Sequence, residues 1–223
     1  MIIFPSILEK TPEELFLQIQ KLSKYYSYFQ IDIADGIYVP NKTVQIEDIL
    51  RSGLIEAGPL SDKTFEFHLM VKDYEKGVEQ LLELKKFLDI KTVLINTSLS
   101  PNIQDLKSKI HEFSFALVLN PEDSVETIKT KYDLSKIPLI QIMSVIPGAQ
   151  GNSFIQESLQ KIEQLRDANY RNKISLDGGI NEKTIPVILS QNYLPDILCP
   201  GSFLTRADNI EERVAYLRKQ QPY

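Results

Sequence analysis

The sequence predicts an α/β fold of the (β/α)8 barrel class, the TIM barrel, laid out as one domain over residues 1–223. Two observations carry this reading. Short apolar runs alternate with amphipathic stretches eight times along the chain, and strict alternation implies parallel strands joined by right-handed crossovers. No linker, low-complexity tract or compositional break divides the chain. Eight units of this size suit a closed barrel, with a doubly wound open sheet as the alternative.

The elements follow in order. Ile2-Ile3-Phe4 reads as a first strand ended by Pro5-Ser6. Thr11-Pro12-Glu13-Glu14 is a helix start, with Thr as N-cap, Pro at the first helical position and Glu completing a capping box. Leu15, Ile19 and Leu22 supply its inner stripe. The second strand lies in QIDIADGIYVPNKT (30–43), where Phe29, Ile31 and Ile33 alternate with Gln30, Asp32 and Ala34. Asp35-Gly36 and Pro40-Asn41 turn the chain out of it. A helix over Ile46 to Leu54 and a loop through Gly58-Pro59 come next. The third strand, Thr64 to Val71, sets Glu66, His68 and Met70 on one face and Phe65, Phe67 and Leu69 on the other. Helix Tyr74 to Phe87, strand Thr92 to Ile95, helix Ile103 to Phe113 and strand Phe115 to Leu119 succeed one another. Helix Ser124 to Tyr132 leads to strand Leu139 to Met143. The loop VIPGAQG (145–151) precedes helix Phe154 to Ala168. Strand Lys173 to Leu176 ends in Asp177-Gly178-Gly179. Helix Glu182 to Asn192, strand Ile197 to Cys199, the turn Pro200-Gly201-Ser202 and helix Asn209 to Arg218 complete the chain.

Composition narrows the function classes. Hydrophobic residues make up 43% and charged residues 25%, the balance of an ordinary globular protein. The net charge is −5 and no Lys or Arg run offers a phosphate-backbone footprint, so no nucleic-acid partner is expected. An anionic ligand must be held by local features. The single cysteine, Cys199, excludes an internal disulfide and reads as a small core residue. No apolar stretch nears the roughly 18 residues of a membrane span, and MIIFPSIL lacks a basic leader, so a cytoplasmic protein without a membrane partner is expected. His111 reads as solvent-exposed. Tyr25, Tyr26 and Tyr28 are candidates for a contact between copies in a homo-oligomer.

Ser6, Asp32, His68 and Asp177 all fall at strand C-terminal ends, where the loops of a barrel form its active face. A carboxylate at a buried strand tip is costly unless paired. Four such tips, from the first, second, third and seventh strands, are hard to assign to packing.

The chain resembles the ribulose-phosphate 3-epimerase family over nearly its whole length. The resemblance is carried by Pro5-Ser6-Ile7-Leu8, Asp32 with Asp35-Gly36 and Val39-Pro40-Asn41, and His68-Leu69-Met70-Val71. It continues through Leu119-Asn120-Pro121, Met143 to Gly148 with Phe154, Asp177-Gly178-Gly179-Ile180 and Gly201-Ser202. It implies a barrel of the ribulose-phosphate-binding type and inversion at C3 of a phosphorylated ketose, D-ribulose 5-phosphate to D-xylulose 5-phosphate, through an enediolate. It assigns the acid/base pair to Asp32 and Asp177, on opposite sides of the barrel. It implies a divalent metal ion (Zn, Mn or Fe) on two histidines and these aspartates. His68 matches one histidine and Gln30 falls on the other. An amide oxygen is a poorer zinc ligand, which leaves three outcomes: a weakened site, one suited to a harder ion, or none. Met70 and Met143 match methionines over the enediolate, while a third such position holds Ala34. Ser6, His68, Gly148, Gly151, Gly178, Gly179, Gly201 and Ser202 are the remaining substrate and phosphate candidates. Loops after the last two strands form the usual barrel phosphate site, with backbone N–H groups and a short helix start as donors. The alternatives are a sugar-phosphate-binding barrel that does not epimerise and an epimerase of a different ketose phosphate.

Overall fold

Two short strands open the chain, β1 (Ile2–Ile3) and β2 (Ser6–Ile7). Between them Pro5 offers no N–H, and the ladder breaks there. Its carbonyl still accepts from Gln30 N at 2.9 Å, so pairing resumes at once. The expected stop at Pro5-Ser6 is therefore a break within one barrel stave, not its end. This is a computed structural model, and it describes residues 1–57, 60, 62–148 and 151–220. The expected loop at Gly58-Pro59 and the middle of the 145–151 loop, Ala149-Gln150, lie outside the described residues.

The broken stave closes the barrel. β1 pairs with β9 (Ile197–Cys199), and β2 pairs with β3 (Tyr28–Ala34). Around the ring, β3 is followed by β4 (Thr64–Met70), β5 (Asp89–Asn96), β6 (Ser114–Leu119), β7 (Leu139–Met143) and β8 (Lys173–Asp177), all parallel. From β2 to β9 each strand pairs with its successor, with no switch point in the order, so the open doubly wound sheet is excluded.

The helices run shorter than the periodicity suggests. The expected helix over 46–54 is two, α2 (Ile46–Arg51) and α3 (Leu54–Ala57), because Gly53 turns the chain at φ +68°. The first helix, α1 (Pro12–Leu22), keeps its capping box on Thr11 and Glu14 and buries Leu15, Ile19 and Leu22. The predicted helix over 154–168 starts as a 3-10 turn, Gln156–Leu159, before α-helix Gln160–Asp167.

Strand pleating sorts side chains into two cores. Outward residues such as Phe29, Ile31, Phe65, Phe67 and Leu69 pack against the helices, as the expected faces of 64–71 require. Inward, Leu94, Ala116, Val118, Leu139, Ile197 and Cys199 fill one side of the barrel with Phe4. Tyr28 also faces inward and stacks on Phe4, ring centroids 3.9 Å apart, so it is not an exposed subunit-contact residue. Tyr25 and Tyr26 lean on the helix-side core. His111 is exposed and Cys199 is buried. Among the described residues no helix is long and apolar enough to cross a membrane.

Candidate active site

The other inward arc is polar. Register sets Ser6 beside Gln30, Gln30 beside Glu66, and Asp32 beside His68. Gln30, His68, Asn96, Gln141 and Ser175 are wholly buried, and Asp32 and Asp177 are each 5% exposed. Burying so many polar groups is tolerable only where they satisfy one another.

Most of them do so as a connected set, while Gln30 Oε1, His68 Nδ1 and Asn96 Oδ1 have no partner among the described residues. Ser6 Oγ donates to Asp32 Oδ2 at 2.6 Å. Gln30 Nε2 donates to Asp32 Oδ1 and to Asp177 Oδ2, each at 2.8 Å. Gln141 Nε2 reaches the same Asp177 oxygen at 3.2 Å, and its own Oε1 accepts from Ser175 Oγ at 3.1 Å. His68 Nδ1 lies 3.4 Å from Asp32 Oδ1, and its Nε2 faces Asn96 Nδ2 at 3.3 Å. Below them Glu66 takes a hydrogen bond from Tyr28, while its Oε1 has no partner among the described residues.

Electrostatics bears on two of these carboxyl groups, Asp177 and Glu66. Burial pushes the Asp177 carboxyl up to about 7, and the neighbouring Asp32 charge adds to the rise against opposing effects of His68 and Gln30. Glu66 is driven up to about 8, first by burial, with the Tyr28 hydrogen bond opposing and the Asp32 charge adding. A carboxyl group raised toward neutrality, beside a second one that accepts hydrogen bonds on both oxygens, is a pairing that acid/base chemistry can use.

Above this layer lies a cleft. Asp32 and Asp177 form its floor with Ser6, Met70 and Met143, and its rim includes Gly148, Gly151, Gly178, Gly179, Gly201 and Ser202. Gln30 and His68 do not line it. His68 lies beside Asp32, its Nδ1 3.4 Å from Asp32 Oδ1. Ala34 packs with Val39 and Met70. Gly178 has φ +106°, and a Cβ there would lie 2.5 Å from Val145 Cγ2, so only glycine fits. Gly148 (φ +107°) lies equally close under Val39, at 2.7 Å. Among the described residues the N–H groups of Gly178, Gly179, Gly201 and Ser202 donate to no protein acceptor. A short helix, Ser202–Thr205, follows Gly201.

Residues 2–202 match the sequence profile of the Ribulose-phosphate 3 epimerase family. The chain belongs to this family. A ribulose-phosphate 3-epimerase of Synechocystis sp. is 31% identical, over 99% of this chain and 94% of the relative. Another, from Bacillus subtilis, is 27% identical and covers 96% of each. Among solved structures, KGPDC from Streptococcus mutans in complex with D-R5P aligns with a TM-score of 0.68 over 98% of this chain and 95% of that one. A mutant tryptophan synthase alpha-subunit from Pyrococcus furiosus gives 0.58 over 98% and 95%. At 13% and 14% identity these two likenesses concern the barrel alone.

Asp32, His68 and Asp177 bring one ligand atom each to within 4.8 Å of one another, a group that by residue type could hold a divalent ion. The hydrogens are placed otherwise. Gln30 Nε2 stands between the two carboxylates and donates to an oxygen of each. Asn96 Nδ2 faces His68 Nε2 and also donates to Leu69 O at 3.2 Å. Asn96 Nδ2 against Nε2 makes that nitrogen the acceptor, while Nδ1, on the side of Asp32, has no hydrogen-bond partner among the described residues. In this arrangement the residues do not fit a bound ion.

Gln141, Ser175, Asn96 and Glu66 were not picked out from the sequence. A signal for three of them was there: Gln141, Ser175 and Glu66 sit two residues before Met143, Asp177 and His68, on the same face of their strands.

Proposed function

We propose that this chain inverts C3 of a ketopentose 5-phosphate, interconverting D-ribulose 5-phosphate and D-xylulose 5-phosphate. The observation that carries the proposal is the floor of the cleft, where two carboxyl groups from β3 and β8 face one ligand space and burial pushes that of Asp177 up to about 7. Asp32 takes the C3 proton. The C–H electron pair forms the C2–C3 double bond, and the C2 carbonyl electrons move onto oxygen as the enediolate. Asp177 gives its proton to the opposite face of C3, the C2 carbonyl re-forms, and the inverted ketose leaves. Asp32 then carries the proton that Asp177 has lost, and the reverse reaction uses the pair in exchanged roles.

Met70 and Met143 supply an apolar wall around the planar intermediate, which keeps water from protonating it. The four N–H groups of Gly178, Gly179, Gly201 and Ser202 receive the phosphate. The ion implied by the family would compete with Gln30 for the same carboxylate oxygens, so it is weakened or absent here, and no step is assigned to it.

The test is solvent deuterium incorporation at C3 of D-ribulose 5-phosphate, followed together with formation of D-xylulose 5-phosphate. Incorporation with conversion is the expected result. Binding of the sugar phosphate without exchange would instead make this a non-epimerising barrel.

A further inference from the structure

Gln30 occupies the point at which a shared cation would meet both aspartates. Each of its two N–H groups has its own carboxylate, at 2.8 Å. The amide's orientation follows from its partners: turned end for end, it would set Oε1 against Asp32 Oδ1 and Asp177 Oδ2, both of which accept its hydrogens here. A second amide braces the arrangement. Gln141 donates to the Asp177 oxygen that Gln30 already holds, and its Oε1 accepts from Ser175 Oγ. Nearby, Asn96 Nδ2 lies 3.3 Å from His68 Nε2 and donates to Leu69 O. Three neighbouring contacts thus present hydrogens where a metal would require lone pairs. The atom a metal could recruit instead, Gln30 Oε1, is buried and unpartnered among the described residues. Reaching it means rotating the amide and giving up both N–H bonds.

We propose that in this chain the Gln30 amide, braced by Gln141, takes the place of the cation: it holds Asp32 and Asp177 in register, and proton transfer at C3 proceeds with no ion bound. The proposal rests on the epimerase reading. Gln30 and Gln141 are positioning residues, since neither lines the cleft.

The experiment strips the full-length protein with chelators, verifies the loss of metal by mass spectrometry, and measures C3 exchange alongside Zn²⁺ and Mn²⁺ binding by equilibrium dialysis. The stripped protein should exchange at an undiminished rate. Gln30→His should bind Zn²⁺ roughly 10–100-fold tighter and should now lose exchange on stripping. Gln141→Leu should lower kcat while leaving KM for the sugar phosphate unchanged. Loss of exchange in the stripped wild type, restored by Zn²⁺ or Mn²⁺, would overturn the proposal. If neither stripped nor metal-loaded protein exchanges C3, the epimerase reading fails instead. The clamp is then judged by NMR: Gln30 side-chain amide protons protected from solvent in stripped protein support it, and rapidly exchanging ones refute it.

Discussion

Asp177 and Glu66 hold their protons because burial and a neighbouring negative charge both penalise ionisation. Replacing the acid removes one half of the proposed chemistry and leaves the shape. Asp177→Asn and Asp32→Asn should each reduce C3 exchange by about 10²–10⁴-fold with the circular dichroism spectrum unchanged. Near-normal exchange in either variant would remove that residue from the pair. The shifts also bear on stability. Both groups bind a proton more tightly folded than unfolded, so their stabilisation is complete below the ordinary carboxylate range and is lost as pH rises through about 7 and 8. Asp35 works the other way: three backbone N–H donors outweigh its burial and hold it low, so it contributes no slope above about pH 5. The melting temperature of metal-stripped protein should therefore carry a falling component from about pH 5 to pH 8. Glu66→Gln should remove part of it, an effect on the order of a few kcal/mol at the upper end. An unchanged pH slope in that variant would show that Glu66 ionises normally. At this scale Asp32, His68 and Asp177 were legible because strand tips and turn dipeptides locate them. Gln141 and Ser175 were not singled out, because one polar residue inside LIQIM or KISLD is read as tolerated rather than as half of a pair from two strands.

Strand ends and the turns after them, more than helices, decide what the cleft can do. Strands Leu139–Met143 and Ile197–Cys199 coincide with the sequence reading, since Pro or Asp neighbours mark where each begins or ends. The helix expected over 182–192 shrinks to Ile185–Leu189. Asn181 Oδ1 accepts from Lys183 N at 2.9 Å and Thr184 N at 3.3 Å, making a side-chain turn where a first helical turn was expected. Periodicity does not report such competition. The loop after β8 makes a sharper test. Gly178→Ala forces a Cβ into Val145 at a left-handed φ, at a cost on the order of 1–3 kcal/mol. Shifting this backbone also moves the Gly178 and Gly179 N–H groups, so KM for the sugar phosphate should rise more than kcat falls, as steady-state kinetics would show. A variant with wild-type KM would place the phosphate elsewhere.

Closure of the sheet makes the arrangement cooperative. Ile2-Ile3 and Ser6-Ile7 take neighbours on opposite sides of the seam, so β9 and β3 are joined through one broken stave. We expect one unit over 1–223 and hence one calorimetric unfolding transition with matching calorimetric and van't Hoff enthalpies; two resolved transitions would divide the chain. The eightfold alternation made the barrel legible. The break at Pro5 was not, because a proline reads as an end unless the residues beyond it find the same neighbour sheet.

That break has a further consequence. Between the two half-staves Phe4 turns inward onto Tyr28, and with Leu94, Ala116, Val118 and Cys199 it stoppers the barrel from below. The cleft over the two aspartates opens at the other end of the barrel. In the proposed reaction sugar and solvent would enter there, and a phosphate held on the rim would lie across the way in. The proposed enediolate would then face the two carboxyl groups and the methionines, and the choice of face for reprotonation would belong to the protein rather than to water.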